Sequence, residues 1–528
     1  MARLFIVSNR VNVPKAGSLK RAGGLEVALS ATLKRYPCVW LGWSGAVKPD
    51  EGAVETRTVV HGKVTYVVTD LTKEDYQEYY AGYANSVLWP VLHYRLNLTE
   101  FSKRDLTGYL RVNEHFADEL HKILEPDDVV WVHDYHLIPF ARALRQRGHF
   151  NRIGFFLHIP MPPPEILTAL PGHEKLIPAL RDYDLVGFQT ENDAANFARY
   201  LAGELNISAH IARPFSTGER SMRIGTFPVG VETEAFNRRA RHAARSSFVK
   251  KVIGSMPGSM VIGVDRLDYS KGLPHRLEAF EKFLAANPAW HGRVNYLQIT
   301  PKSRSEIQEY ADIRRVIDAA AGRINATYGD PSWIPVRYIN RTYGRTALAG
   351  LYRSARVGLV TSLRDGMNLV SKEYVAAQDG DDPGVLVLSR FAGASAELRA
   401  ALLVNPYDPE AVGAAVARAL EMSRDERIAR HAELYATLLQ NDIANWGERF
   451  LLALGAEALE PDPKAVTPLL TPRSRRAGPR KASSRNGKAL HSNRLSGAAI
   501  SSRDFRSAAT PRTDSVIAAK TINPPPKA

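Results

Sequence analysis

Two cations, Arg266 and Lys271, share the segment Val264-Asp265-Arg266-Leu267-Asp268-Tyr269-Ser270-Lys271-Gly272. The apolar run before it reads as a strand, and a helical period begins at its last residue, Gly272. Cations beside a helix N-terminus, whose first amides lack intrahelical acceptors, form a cradle for a diphosphate that needs no metal ion. The bland reading is an exposed charged loop. A second segment, Leu363-Arg364-Asp365-Gly366-Met367-Asn368-Leu369-Val370-Ser371-Lys372-Glu373, follows the apolar run Val357–Val360. There Asp365 and the amides of Gly366 to Val370 would face a ligand at the strand's carboxyl end. Glu373 can accept two hydrogen bonds from a ribose diol, or can merely complement the helix dipole. The two segments support each other more than either stands alone.

Two further apolar runs end in imidazoles. Val129-Val130-Trp131-Val132 leads into His133-Asp134-Tyr135-His136, and Ile153-Gly154-Phe155-Phe156-Leu157 leads into His158 before Met161-Pro162-Pro163-Pro164. Imidazole and carboxylate are ordinary metal ligands, but no third arm accompanies His133 and His136, and Asp134 suits sugar hydroxyls better. Asp134 could also cap a helix, and His158 could be a satisfied strand-end group. Near the N-terminus, Ser8-Asn9-Arg10 follows the first strand and Arg21-Ala22-Gly23-Gly24-Leu25 opens the first helix. Paired glycines let the backbone approach an anion, and the Arg10 fork suits phosphate; a plain cap and a surface arginine are the alternatives. No GxxxxGK[ST] occurs, which excludes a triphosphate P-loop.

These residues need strands to carry them and helices to follow. Strand-type runs are Leu4–Val7, Val129–Val132, Ile153–Leu157, Leu185–Phe188, Arg223–Phe227, Met260–Val264, Val294–Ile299, Val357–Val360 and Val385–Leu388. Between them, helical periods cover Gly24–Arg35, Asn113–Leu124, Ile138–Arg147, Asn192–Leu205, a basic helix near Arg238–Val252, Leu273–Ala286, Ser305–Ala321, Arg345–Arg353 and Val370–Gln378. Such alternation predicts an α/β protein with parallel sheets covered on both faces. The count exceeds one compact sheet, so two doubly wound domains are expected, divided at Phe227-Pro228-Val229-Gly230-Val231. After Pro406 the pattern is helical to about Leu454, and these helices would cover the sheets, crossing back over the first domain. In such sheets ligands collect at the carboxyl ends of strands, where every segment above lies.

The composition of the 528 residues, 45% hydrophobic and 24% charged, is that of a globular protein and excludes collagen-like and wholly disordered chains. The single cysteine, Cys38, cannot form an intrachain disulfide or a thiolate metal cluster. No run of about 18 apolar residues exists to span a bilayer, and the N-terminal apolar stretch is too short for a secretory signal. The expected compartment is the cytosol. The net charge of +15 is concentrated: residues 461–528 carry 14 Lys or Arg and 3 Asp or Glu, against 56 and 52 in residues 1–460. With one aromatic, Phe505, that tail is expected to be disordered, a solvated appendage rather than a nucleic-acid binder.

The motifs in order resemble those of the trehalose-6-phosphate synthase family, retaining glycosyltransferases of the GT-B fold (glycosyltransferase family 20). The resemblance covers about residues 1–455 and rests on SNR at 8–10, RAGGL at 21–25, GWSG at 42–45, NSVLWPVLHYRL at 85–96, WVHDYHL at 131–137, GFFLHIPMPPPEI at 154–166, GFQTEND at 187–193, DRLDYSKG at 265–272 and LRDGMNLVSKEYVAAQ at 363–378. It implies two Rossmann-like domains facing a cleft. Residues 1–230 would form the acceptor domain and 231–460 the nucleotide-sugar domain. It also implies transfer of glucose from UDP-glucose to glucose 6-phosphate. On the donor side it implies Arg266 and Lys271 on the diphosphate, Glu373 on the ribose, and Gly23, Gly24 and the Leu369 and Val370 amides around the nucleotide sugar. Asp365 and His158 would hold the donor glucose, and Tyr343 would lie near the base, where relatives often carry another aromatic. On the acceptor side, Arg10, Tyr80 and Arg304 would grip the phosphate, and Asp134 and Trp89 the sugar.

The family mechanism implies that Arg266, Lys271, Asp365, His158 and Asp134 carry the reaction, with no essential metal and no other cofactor; no membrane and no nucleic acid partner are expected from the apolar runs and the tail. It leaves room for a homo-oligomer. Other phosphorylated acceptors, such as glycerol 3-phosphate, would suit the same cations, and UDP, GDP and ADP sugars share the diphosphate and ribose. A sugar-phosphate sensor without activity would be expected to lack site residues, and none is missing. No fused phosphatase domain is expected, since only the basic tail follows residue 460 here.

Overall fold

The computed structural model describes residues 2–14, 28–29, 35–49, 54–217, 220–301, 308–456 and 459. Gly23, Gly24, Arg304, most of the expected first helix and the basic tail from 461 lie outside them.

The first sheet contains β1 (Leu4–Arg10), β2 (Cys38–Lys48), β3 (Thr56–His61), β4 (Val64–Thr72), β5 (Val129–His133), β6 (Arg152–Phe156), β7 (Leu185–Phe188), β8 (Phe215–Ser216) and β9 (Ser221–Thr226). Their order is β3-β4-β2-β1-β5-β6-β7-β9-β8, parallel except at the two ends, where β3 and β8 pair antiparallel to their neighbours. The second sheet contains β10 (Ser259–Val264), β11 (Val294–Ile299), β12 (Val336–Ile339), β13 (Val357–Val360), β14 (Val385–Ser389) and β15 (Leu402–Val404). Its order, β12-β11-β10-β13-β14-β15, is parallel throughout and matches the strand order of a dinucleotide-binding fold. The protein is therefore α/β with two doubly wound sheets, as the sequence predicts.

The strands form where unbroken apolar runs can be buried on both faces. All five residues of β5 and all six of β11 are buried. Both sheets reverse their winding beside the first strand of the set, β1 in one and β10 in the other. Register then decides which residues emerge together. Ser8 pairs with His133, and His133 with Phe156, so Arg10, Asp134 and His158 leave the same edge. In the second sheet Ile262 pairs with Gly358 and Val264 with Ile299, so the loops after β10, β11 and β13 share one crevice.

The last helix, Ile443–Leu454, buries Ile443, Trp446, Phe450 and Leu454 as one stripe. It lies on the first sheet, with Phe450 stacked 4.5 Å from Trp131. Its start is tied to the crossover at Val231, because the Ile443 amide donates to the Val231 carbonyl and the Thr233 amide to the Asp442 carboxylate. No helix among the described residues is long and apolar enough to cross a membrane.

Several elements depart from the sequence reading. β2, β3, β4, β8, β12 and β15 have no counterpart among the expected strands. β2 is broken by a register shift between Trp43 and Val47, where Gly45 takes φ 89°, so its apolar alternation is obscured. The helix expected from Asn113 starts at Lys103, because Ser102 accepts from the Asp105 amide and caps it. The basic helix near 238–252 is two helices, Thr233–Ala243 and Ser247–Gly254, the second capped by Ser246. Tyr76–Leu88 is a 13-residue π-helical stretch, whose wider turns defeat a 3.6-residue period.

Candidate active site

The loop after β10 carries the two expected cations. Arg266 donates from Nε to Asp268 at 3.2 Å and is partly exposed. Lys271 is 8% exposed, in a short 3-10 turn that Asp268 caps by accepting from the Ser270 amide. Its Nζ donates to Asp365 Oδ2 at 2.5 Å, and the same oxygen accepts from Ser362 Oγ at 3.2 Å and Asn368 Nδ2 at 3.0 Å. Burial opposes ionisation of Asp365, but Lys271 and the Asn368 amide outweigh it and hold the carboxyl below its usual range.

Asn368 adopts a left-handed backbone, φ 73°, that few side chains tolerate. Its side chain accounts for the conformation: Oδ1 accepts from the Ser371 amide while Nδ2 reaches Asp365. The helix Leu369–Ala377 therefore starts beside the Lys271–Asp365 pair, with Leu369 and Val370 in its first turn. Glu373 follows on the same helix and accepts from Arg345 Nε at 3.0 Å. Burial raises the Glu373 carboxyl pKa, and Arg345 pulls it back in part.

On the first sheet, Asp134 also has a positive φ, 77°. Its amide donates to the Phe156 carbonyl, and its Oδ1 accepts from the His158 amide at 3.3 Å, so it joins the ends of β5 and β6. His158 Nε2 lies 3.1 Å from Nδ1 of the fully buried His133. Burial pushes His158 down to about 3 and His133 well below the usual imidazole range, so both are neutral near pH 7. Arg10 packs its guanidinium 5.5 Å from the Trp43 ring. Tyr80 lies 5.5 Å from Trp43 and stacks on His136 at 6.0 Å and 11°. Tyr135 stands between His136 and Trp89.

The two sets of strand ends meet. The Arg266 guanidinium lies 4.7 Å from the Trp89 ring, linking the loop after β10 to the first half of the chain. The loop after β13 touches the loop after β6, and any side chain at Gly366 would collide with the His158 carbonyl. The structure thus brings Arg266, Lys271, Asp365, Leu369, Val370 and Glu373 together. Trp89 and His158 reach that group directly, Asp134 through His158, while Arg10 and Tyr80 join Trp89 through the aromatic series. Tyr343 has its ring contact with Phe248 at 5.7 Å, and is connected to the cleft through Arg345, two residues on. Among the described residues no group of three or more His, Cys, Asp or Glu side chains could hold a metal ion.

Sequence reasoning missed the residues that lock the halves together. His93, buried and held near pKa 4 by burial, packs its ring against Trp89 in a tilted arrangement, 4.0 Å between ring centres. Tyr94, at φ 63°, lies under the Arg364 guanidinium at 3.9 Å, and Arg95 lies over Tyr269 at 5.6 Å. All three fall in the motif 85–96, where only Trp89 was singled out. Arg345 carried no signal beyond its position at a helix start.

Residues 3–456 match the description of glycosyltransferase family 20. The chain is 52% identical over 460 residues to a trehalose-6-phosphate synthase of Sinorhizobium fredii, covering 87% of this chain and 99% of that relative. It is 44% identical to a solved alpha,alpha-trehalose-phosphate synthase (UDP-forming) from Burkholderia xenovorans in complex with glucose-6-phosphate, with a TM-score of 0.83 over 86% of this chain and 100% of that one. It is 45% identical to a solved protein described as trehalose-6-phosphate from E. coli bound with UDP-2-fluoro glucose, with a TM-score of 0.81 over 87% and 100% of the two chains.

Proposed function

The chain belongs to glycosyltransferase family 20, and we propose that its cleft transfers glucose from UDP-glucose to glucose 6-phosphate, giving α,α-trehalose 6-phosphate and UDP. The observation that carries this reading is the Lys271–Asp365 pair at the start of the helix Leu369–Ala377, with Arg266 against Trp89. Cations, helix amides and a ribose-competent carboxylate, Glu373, stand on one side of the cleft. An arginine–tyrosine–tryptophan series stands on the other. The relatives named above bind the two corresponding substrate classes.

In this reading residues 231–460 hold the donor and residues 1–230 the acceptor. Arg266 and Lys271 neutralise the diphosphate, and the Leu369 and Val370 amides and Glu373 hold the rest of the nucleotide, with Gly23, Gly24 and Tyr343 assisting. Asp365 and His158 orient the donor glucose. Arg10, Tyr80 and Arg304 take the acceptor phosphate, and Asp134 and Trp89 the acceptor sugar. The glucosyl C1–O bond to the β-phosphate breaks as the acceptor's anomeric oxygen bonds to C1 on the same face. The acceptor proton passes to the departing phosphate oxygen, and configuration is retained. The enzyme's part is positioning and charge stabilisation, with no covalent intermediate on a side chain. The reading includes a cytosolic location and no essential divalent metal.

The test mixes the purified full chain with UDP-glucose and glucose 6-phosphate, with and without EDTA, and follows UDP and disaccharide phosphate together. Equal yields of both products, with the α,α linkage by NMR, are expected in either buffer. UDP release without disaccharide phosphate would overturn the acceptor assignment, and no UDP release would overturn the transfer itself.

A further inference from the structure

Arg276 is the only arginine among the described residues with no exposed surface, and its partners have one thing in common. Nε donates to Thr361 Oγ1 at 2.9 Å, Nη1 to Gln298 Oε1 at 3.2 Å, and Nη2 to the Lys271 carbonyl at 3.3 Å. Nη1 also lies 2.7 Å from Asp265 Oδ2. Asp265 is the residue after β10, Gln298 lies near the end of β11, and Thr361 is the residue after β13. One guanidinium therefore ties three neighbouring strand ends to the backbone of the loop that carries Lys271.

The surroundings make this a built network. Gln298 also accepts from the Tyr296 hydroxyl and donates to Thr300 Oγ1 at 3.0 Å, and Thr361, Gln298 and Asp265 are all buried. The same two loops are zipped by backbone bonds, since the Leu363 and Arg364 amides both donate to the Ser270 carbonyl. Lys271 and Asp365 thus meet at 2.5 Å between loops whose spacing the buried fork sets. Charge alone would not do this. A planar fork bonds in several fixed directions at once, whereas an ammonium is a point charge on a flexible stem.

We propose that Arg276 is a positioning residue for the transfer: its buried guanidinium fixes the loop after β10 against the loop after β13, so that Lys271 is held ready for the β-phosphate of the donor. This rests on the reading of Lys271 as a diphosphate contact. It follows that Arg276 governs recognition of the second phosphate rather than of the nucleoside.

The readout is the preference of the full chain for UDP over UMP, measured by calorimetry, with kcat and both KM values alongside. For Arg276→Lys the UDP preference should fall about tenfold and kcat by about as much or more, while UMP affinity and the glucose 6-phosphate KM stay within about twofold. A general loosening of the fold would weaken UDP and UMP alike. A folded Arg276→Lys chain with unchanged UDP preference, or with equal losses for both nucleotides, would overturn the proposal. Should that variant not fold, Thr361→Val, which removes only the Nε partner, decides: a smaller but selective loss of UDP preference supports the proposal, and an unchanged or unselective result overturns it. A wild-type chain that binds UDP no better than UMP would instead refute the diphosphate reading of Lys271, and the proposal with it.

Discussion

Replacing Lys271 by methionine removes one positive charge and keeps most of the side-chain volume, so its consequences can be worked through. The Nζ stands 2.5 Å from Asp365, in a residue 8% exposed, where few water molecules can substitute for it. If that charge stabilises the departing diphosphate, its loss should lower kcat by about a hundred- to a thousandfold, or about 2.7–4 kcal/mol. The KM for glucose 6-phosphate should stay within about threefold, because Arg10 and Tyr80 are untouched. A second effect falls on stability. Asp365 keeps Ser362 and Asn368 but loses its ion-pair partner Lys271, and stranding one member of such a pair costs about 3–5 kcal/mol. The double variant Lys271→Met/Asp365→Asn removes both charges and should recover most of the lost melting temperature without recovering turnover. Initial rates of UDP release and thermal melts of the wild type, both single variants and the double variant provide the data. Turnover of Lys271→Met within about fivefold of wild type would refute the cradle, since such a loss is far below what a charge stabiliser contributes. A double variant that melts no higher than Lys271→Met would refute the pairing argument.

Glu373→Gln should raise the UDP-glucose KM by about tenfold and leave the glucose 6-phosphate KM unchanged, as expected for loss of a charged acceptor to a ribose diol; steady-state kinetics with each substrate varied checks the split. Arg10→Ala should do the opposite, raising the glucose 6-phosphate KM by about tenfold or more and sparing UDP-glucose, because it removes a charge-assisted contact to phosphate; equal effects on both substrates would argue against an acceptor role. Burial holds His93 near pKa 4, against an unfolded value of about 6.5, so the unfolded chain binds a proton there that the native chain refuses. Its contribution to stability is complete above about pH 6.5 and drains as pH falls toward 4, at about 1.4 kcal/mol per pH unit; His93→Gln should flatten the acid limb of the stability profile, measured by denaturant melts from pH 7 to 4.5.

The strands that carry the site were legible because they are buried on both faces and therefore appear as unbroken apolar runs, as in Val129–Val132 and Val294–Ile299. Their ends were legible because charged and hydroxyl residues interrupt those runs abruptly, as at Asp265 and Thr361. Strands without an unbroken apolar run hid. β3 exposes all six residues, and β4, although almost wholly buried, carries Thr65, Thr69 and Asp70 among its apolar residues, so neither stands out against loops. The π-helical stretch that carries Tyr80 has no familiar period. Within the site, residues that would touch ligand were readable from their types and positions. Residues that act through others were not: Arg276 looks like a polar interruption of an amphipathic helix, and only the three-dimensional register reveals its four partners. Asn368 and Asp134 gave no hint of their left-handed backbones, which depend on bonds to residues fixed elsewhere.

The geometry also explains why neither half of the cleft can be complete alone. Lys372, one residue before Glu373, is fully buried and donates to the Val229 carbonyl at 2.7 Å and to Glu397 at 2.5 Å. The Val229 amide donates to Gln189, whose own amide group reaches the His158 carbonyl at 3.4 Å. His158 in turn abuts Gly366, four residues before Val370 on the same segment as Lys372. The crossover peptide at Val229 is therefore gripped from both sides, by Gln189 of the first sheet and Lys372 of the second, and the circuit closes through the cleft itself. A buried ammonium that bonds a crossover carbonyl ties the orientation of the helix Leu369–Ala377 to the path of the chain between the sheets. The ends of β6 and β13 are then linked to each other by a short ring of bonds, in addition to the packing of the sheets. The motifs at 154–166, 187–193 and 363–378 each supply one side of that ring.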